Sequence, residues 1–104
     1  MHAIVRRYEG IDTKRTDELK QKVNASLTPR LSKLPGFGGY FLIEAGNGVM
    51  SSVNFFDNSA HADESTRVVA EWLREEKLET LVPNDPKITG GEVIVSEMNG
   101  GLKA

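Results

Sequence analysis

The chain contains no cysteine. Disulfides, thiolate nucleophiles and Cys-based metal sites are therefore outside its chemistry, and the composition suits a reducing cytoplasm, which is the location expected. Histidine is scarce as well. His2 and His61 stand far apart, with no carboxylate or second histidine read at ligand spacing and no orienting partner, so neither a metal site nor a hydrolase triad is expected. A strong excess of one charge is also missing: 13 Lys and Arg against 15 Asp and Glu leave a formal net charge of -2. The basic residues are scattered rather than gathered into a stripe that could track phosphates, which argues against a nucleic-acid partner. No apolar run approaches the roughly 20 residues needed to cross a bilayer. Met1 to Tyr8 carries Arg6 and Arg7 inside its apolar run and lacks the parts of a secretory leader, so no membrane partner is expected.

What is present reads as one domain. A chain of 104 residues buries only about 60–65% of its unfolded surface by size scaling, so its core is modest. The domain is expected over residues 1–98, followed by a flexible tail over 99–104 with little to bury. Residues 2–9 alternate like a strand and close on Gly10. From Thr13 to Leu34 the apolar positions Leu19, Val23, Leu27, Leu31 and Leu34 recur every three or four residues, the stripe of an amphipathic helix. Pro29 falls inside that stripe and predicts a kink or a new turn. Strands follow at Phe37–Ala45 and Val49–Phe56, joined through Gly46-Asn47-Gly48. A second helix starts near Ser59, expected as its cap, with Ala62, Thr66, Val69, Ala70 and Leu73 inward and Trp72 at the margin. The last strand is predicted over Ile88–Met98.

The order β-α-β-β-α-β is the ferredoxin-like arrangement, an α+β fold with a four-stranded antiparallel sheet and both helices on one face. Alternation divides the sheet residues into two rows. One row, Ala3, Val5, Phe37, Phe41, Ile43, Val49, Val53, Phe55, Val93 and Val95, is expected to meet the helices. The other, Ile4, Tyr8, Tyr40, Leu42, Met50, Phe56 and Ile94, is apolar too, although Arg6, Ser52, Asn54 and Glu92 interrupt it. An antiparallel sheet with one wet side would be polar there. The sequence therefore predicts a homodimer through the open face of the sheet.

The runs "VRRYEG", "LPGFGGYFLIEAGNG" and "EWLRE" resemble the dimeric α+β barrel superfamily, and within it the antibiotic-biosynthesis monooxygenase family. The resemblance covers nearly the whole chain, with the Pro-Gly-Phe hairpin as its most specific part. It implies a homodimer whose sheets form a barrel, with a small-molecule cavity between sheet and helices in each subunit. Members include cofactor-free oxygenases of polycyclic phenols and enzymes that open haem. The haem-opening pattern of a first-strand asparagine with a tryptophan and a histidine does not carry over: the first strand reads Ala3-Ile4-Val5-Arg6-Arg7-Tyr8, and Asn54, His61 and Trp72 lie elsewhere. No catalytic residue is assigned, and no haem, flavin or metal is expected as cofactor, since ligands at useful spacing are missing.

The candidate ligand site follows from a mismatch of sizes. Gly39 and Ser51 are small beside Phe37, Phe41 and Phe55, and Ala62, Thr66 and Ala70 of the helix above are small too. That predicts an apolar pocket holding an aromatic ligand. Its expected residues are Arg7 as anion anchor, Gly39, Phe41, Ser51, Phe55 and Trp72, with Asn54 included in case a strand bulge turns it inward. "GFGG" is read as close-packing glycine rather than a phosphate loop, because it leaves a helix and enters a strand. Two functions stay open: a ligand-binding barrel, catalytic as a cofactor-independent monooxygenase or not, and a dimeric interaction module whose cavity is filled by side chains.

Overall fold

A computed structural model of the chain describes residues 1–98. The expected tail over 99–104 lies outside the described residues. The elements in order are β1 (His2–Tyr8), a single 3-10 turn (Thr13–Arg15), α1 (Thr16–Lys22), a π-helical turn (Val23–Leu27), α2 (Thr28–Ser32), β2 (Phe37–Gly46), β3 (Val49–Phe56), α3 (Ser59–Glu75) and β4 (Lys87–Glu92). The strands form one four-stranded antiparallel sheet in the order β2-β3-β1-β4. This is the ferredoxin-like α+β architecture, with the helices on one face.

The first helical stretch is kept nearly continuous by a local adjustment at Pro29. A proline has no N–H to give and its ring collides with the carbonyl four residues back in a regular helix. Here the preceding turn is widened to π geometry, with the Thr28 N–H donating to Val23 O, and Pro29 falls in the first turn of α2. Leu19, Val23, Leu27 and Leu31 therefore stay on one buried face, as their spacing predicts. The second helix is capped one residue earlier than expected: Asn58 Oδ1, not Ser59, accepts from the His61 N–H at 2.9 Å. Its buried residues are Ala62, Ser65, Val69 and Trp72. Trp72 is thus fully inside rather than marginal, and Ala70 is exposed.

The two faces of the sheet are exchanged relative to the sequence expectation. Ile4, Arg6, Tyr8, Met50, Ser52, Asn54 and Phe56 are the buried row beneath the helices. Ala3, Val5, Arg7, Phe41, Ile43, Val49, Ser51, Val53 and Phe55 form the open face, where Phe41 is 47% and Ile43 50% exposed. The polar members Arg6, Ser52 and Asn54 mark no wet side, because Arg6 is hydrogen-bonded to Asn54 and to helix hydroxyls inside the fold. Phe37 does face the core, since a bulge between Phe37 and Gly39 shifts the parity of β2 there and sets Phe37 edge-on to Phe56 at 5.9 Å.

β4 is shorter than predicted. It runs antiparallel to β1 with His2 opposite Glu92, and Val93 N–H reaches the carbonyl of Met1 at 2.9 Å. After it the chain leaves the sheet, with Ile94, Val95 and Met98 exposed.

Candidate functional site

Among the described residues, the helix-facing side of β1 carries the one buried cation, Arg6. Arg6 is 1% exposed. Its Nη1 donates to Asn54 Oδ1 at 3.2 Å, and its Nη2 donates to Ser65 Oγ at 2.9 Å and Thr66 Oγ1 at 2.8 Å. The cluster joins β1, β3 and α3. All three acceptors are neutral, and among the described residues no carboxylate pairs with Arg6. Arg6 Nε and Asn54 Nδ2 are buried without a hydrogen-bond partner. Burial pushes the Arg6 guanidinium below its ordinary pKa, opposed by the nearby phenols of Tyr8 and Tyr40. Those phenols are in turn pushed up, chiefly by their own burial and, for Tyr40, also by Tyr8, with Arg6 pulling both the other way.

Two spaces lie near this cluster, and the outer one touches it. Between helices and sheet lies a void of about 30 Å³ whose lining includes Tyr8, Tyr40, Met50, Ser52 and Trp72. Outside it, between α3 and the β1–β4 side of the sheet, is a cleft of about 490 Å³. Arg6, Tyr8 and Ile88 lie on its floor side, and Thr66, Val69 and Leu73 on its α3 side. Tyr8, Val69, Leu73 and Val82 line both spaces, so movement of those four side chains would join them. Apolar walls with a few buried polar groups are the usual make-up of a small-molecule site.

The predicted site residues divide between the two faces. Arg7 is on the open face, where its Nε donates to Glu9 Oε2 at 2.9 Å at the surface, so it does not point into the helix layer. Ser51, its cross-strand neighbour, is half-buried on the same face. Gly39, Phe41 and Phe55 are brought together, but in an open depression of about 840 Å³ that also includes Met1 and Met98. A methyl group added at Gly39 would only touch Phe55 and Phe41, at 3.6 and 3.9 Å. Asn54 and Trp72 do belong to the helix–sheet layer; Asn54 lies there by regular alternation, without a bulge. One residue of alternation separates the two sets, because a slip in face assignment moves every side chain of a strand.

Arg6, Ser65, Thr66, Tyr8 and Tyr40 were not in the predicted site. The signal for them is the run Arg6, Ser52, Asn54 in one otherwise apolar row: polar residues facing one another across strands can bury as a hydrogen-bonded set. The histidine reading also needs correction. His61 Nδ1 lies 2.6 Å from Asp57 Oδ1, a pairing four residues apart across the start of α3. It is a partly exposed surface pair. Among the described residues no group of three His, Cys, Asp or Glu is placed to hold a metal ion, and no helix is long and apolar enough to cross a membrane.

No protein-family model and no curated protein matches the chain. Solved structures do. The chain is similar to a monooxygenase from the gene ActVA-Orf6 of Streptomyces coelicolor in complex with nanaomycin D, at 11% identity and a TM-score of 0.71, covering 95% of this chain and 92% of that one. It is similar to an antibiotic biosynthesis monooxygenase at 14% identity and a TM-score of 0.66, covering 91% and 100%. An MhuD variant with two manganese protoporphyrin IX molecules bound per active site matches at 13% identity and a TM-score of 0.74, covering 95% and 100%. The fold is therefore that of the antibiotic-biosynthesis monooxygenase-like α+β proteins.

Proposed function

We propose that the chain binds a planar aromatic or phenolic small molecule between α3 and the sheet, in the cleft beside the inner void. The observation that carries this reading is the position of the buried Arg6 cluster beside a cleft with Val69, Leu73 and Ile88 in its walls. The likeness to proteins whose structures hold nanaomycin D and a protoporphyrin supports it. The working unit in this reading is a cytoplasmic homodimer, formed through the open sheet face where Phe41 and Ile43 are exposed beside Val53 and Phe55. The catalytic form of the proposal is a cofactor-independent monooxygenation. A phenol with a free para position and O2 give a quinone and water with no outside reductant, so the substrate's ring supplies the electrons. The protein's share would be to exclude water and favour the ionised ring hydroxyl.

Native mass spectrometry of freshly purified protein, followed by oxygen-uptake measurements with polycyclic phenols, tests the proposal. A retained aromatic ligand or substrate-dependent oxygen consumption supports it. An empty protein that binds no aromatic probe at millimolar concentration leaves the alternative, in which the exposed sheet face is the functional surface and the protein is a dimeric interaction module.

A further inference from the structure

We infer that Arg6 is a ligand-binding cation, and that the molecule it recognises is a planar organic anion. This rests on the reading of the cleft as a ligand site and adds the charge and the contact. A buried cation without a counter-ion is costly, because neutral dipoles replace only part of the lost hydration. Arg6 is in that condition: three neutral oxygens hold it, its Nε–H has no partner, and no described carboxylate faces it. Tyr8 and Tyr40, with pKa values pushed up, stay neutral and do not compensate it.

The place where an anion would enter is defined by Thr66. Of the three acceptors on Arg6, Thr66 alone lines the cleft; it is half-buried, while Asn54 and Ser65 are fully buried behind it. Rotation of the Thr66 side chain exchanges its hydroxyl for a ligand oxygen on Nη2, and Asn54 and Ser65 keep the guanidinium in place. The other Nη2 hydrogen remains with Ser65. Displacing Thr66 frees one Nη2 hydrogen for the ligand, in addition to the unpartnered Nε–H. Val69 and Leu73 give the flat body of the ligand an apolar wall. Arg74, Glu79 and Asp85 also lie along the cleft, but all three are exposed, and water screens them far more than it screens Arg6.

The test uses the full chain with two probes of nearly the same shape, 4-nitrophenolate and its neutral ether 4-nitroanisole. The wild-type protein is expected to bind the phenolate about tenfold more tightly, the size expected of one charge-assisted hydrogen bond. The bound probe should also keep its phenolate absorbance at a pH where the free probe has begun to protonate. Arg6→Met should remove the preference while the affinity for the ether changes by less than about twofold. Thr66→Val, which takes away the competing neutral oxygen, should increase the preference. Equal binding of both probes by the wild type would overturn the inference and leave the cleft reading intact. Binding of neither would overturn both. Should Arg6→Met not fold, Thr66→Val decides alone, an unchanged preference counting against Arg6.

Discussion

The indole Nε1 of Trp72 donates to Ser26 Oγ at 2.7 Å, which fastens the C-terminal turn of α3 to the π-helical turn of the first helical stretch. Ser26 is held in its turn by donating to the Lys22 carbonyl at 3.1 Å. The turn exists where Pro29 requires room, so the placement of the hydroxyl traces back to a proline three residues on.

Ser26→Ala should therefore leave a buried indole N–H without an acceptor. The expected loss is about 1–3 kcal/mol, read as a thermal midpoint lower by roughly 4–8 °C for each kcal/mol in a domain of this size. Trp72→Phe in the Ser26→Ala background should cost less than in the wild type, because the donor has then lost its partner already. Thermal unfolding of the four proteins checks both statements.

The exchange of sheet faces predicts opposite outcomes for adjacent residues of β2. Phe41 stands on the open face and Leu42 packs against the core. Phe41→Glu should leave the fold intact and convert the proposed dimer to monomers in light scattering. Leu42→Asp should instead destabilise the fold itself, by about 3–5 kcal/mol for a charge placed in the core without a partner. The reverse pattern would return the helices to the other face.

Most of the architecture is legible in local signals, and the face is where they fail. Gly46, Asn47 and Gly48 all have positive φ, which is the reason those residue types mark the hairpin. Leu19, Val23, Leu27 and Leu31 keep their stripe through Pro29 because the helix absorbs the proline locally. The two sheet rows, by contrast, are similarly apolar, and only the polar residues in one of them tell them apart. Arg6 and Asn54 look like solvent residues one at a time; only their mutual hydrogen bond, with partners from α3, makes the buried row acceptable. That information is spread over three elements and has no local spacing. The register of β4 is equally non-local, since it is set by pairing with β1 at the other end of the sequence.

Stability should fall on the alkaline side. Tyr8 and Tyr40 have folded pKa values raised above the ordinary 10.0, with burial the leading cause for each. For an acid whose folded pKa is raised, the unfolded chain releases its proton first. The native state is favoured fully below pH 10 and loses that advantage as pH rises above it. Tyr40→Phe should flatten the alkaline limb of a plot of thermal midpoint against pH, while the acid limb stays as in the wild type. An unchanged alkaline limb in both Tyr40→Phe and Tyr8→Phe would mean that other groups set it.

The Arg6–Asn54 contact can be tested as a pair. Asn54 is fully buried, accepts from Arg6 Nη1 through Oδ1, and leaves its own Nδ2 without a partner. Asn54→Leu alone should strip the guanidinium of one of its three acceptors, at a cost of about 2–4 kcal/mol for a charged donor left bare. Arg6→Met alone removes the buried charge but strands the Asn54 carbonyl, which costs about 1–3 kcal/mol. Combining them takes away charge and acceptor together and fills the row with apolar side chains. The double variant should then be more stable than Asn54→Leu, even though it carries one more substitution. Urea unfolding of the four proteins measures the coupling directly, and strict additivity would show that the pair contributes nothing to the fold beyond its separate parts.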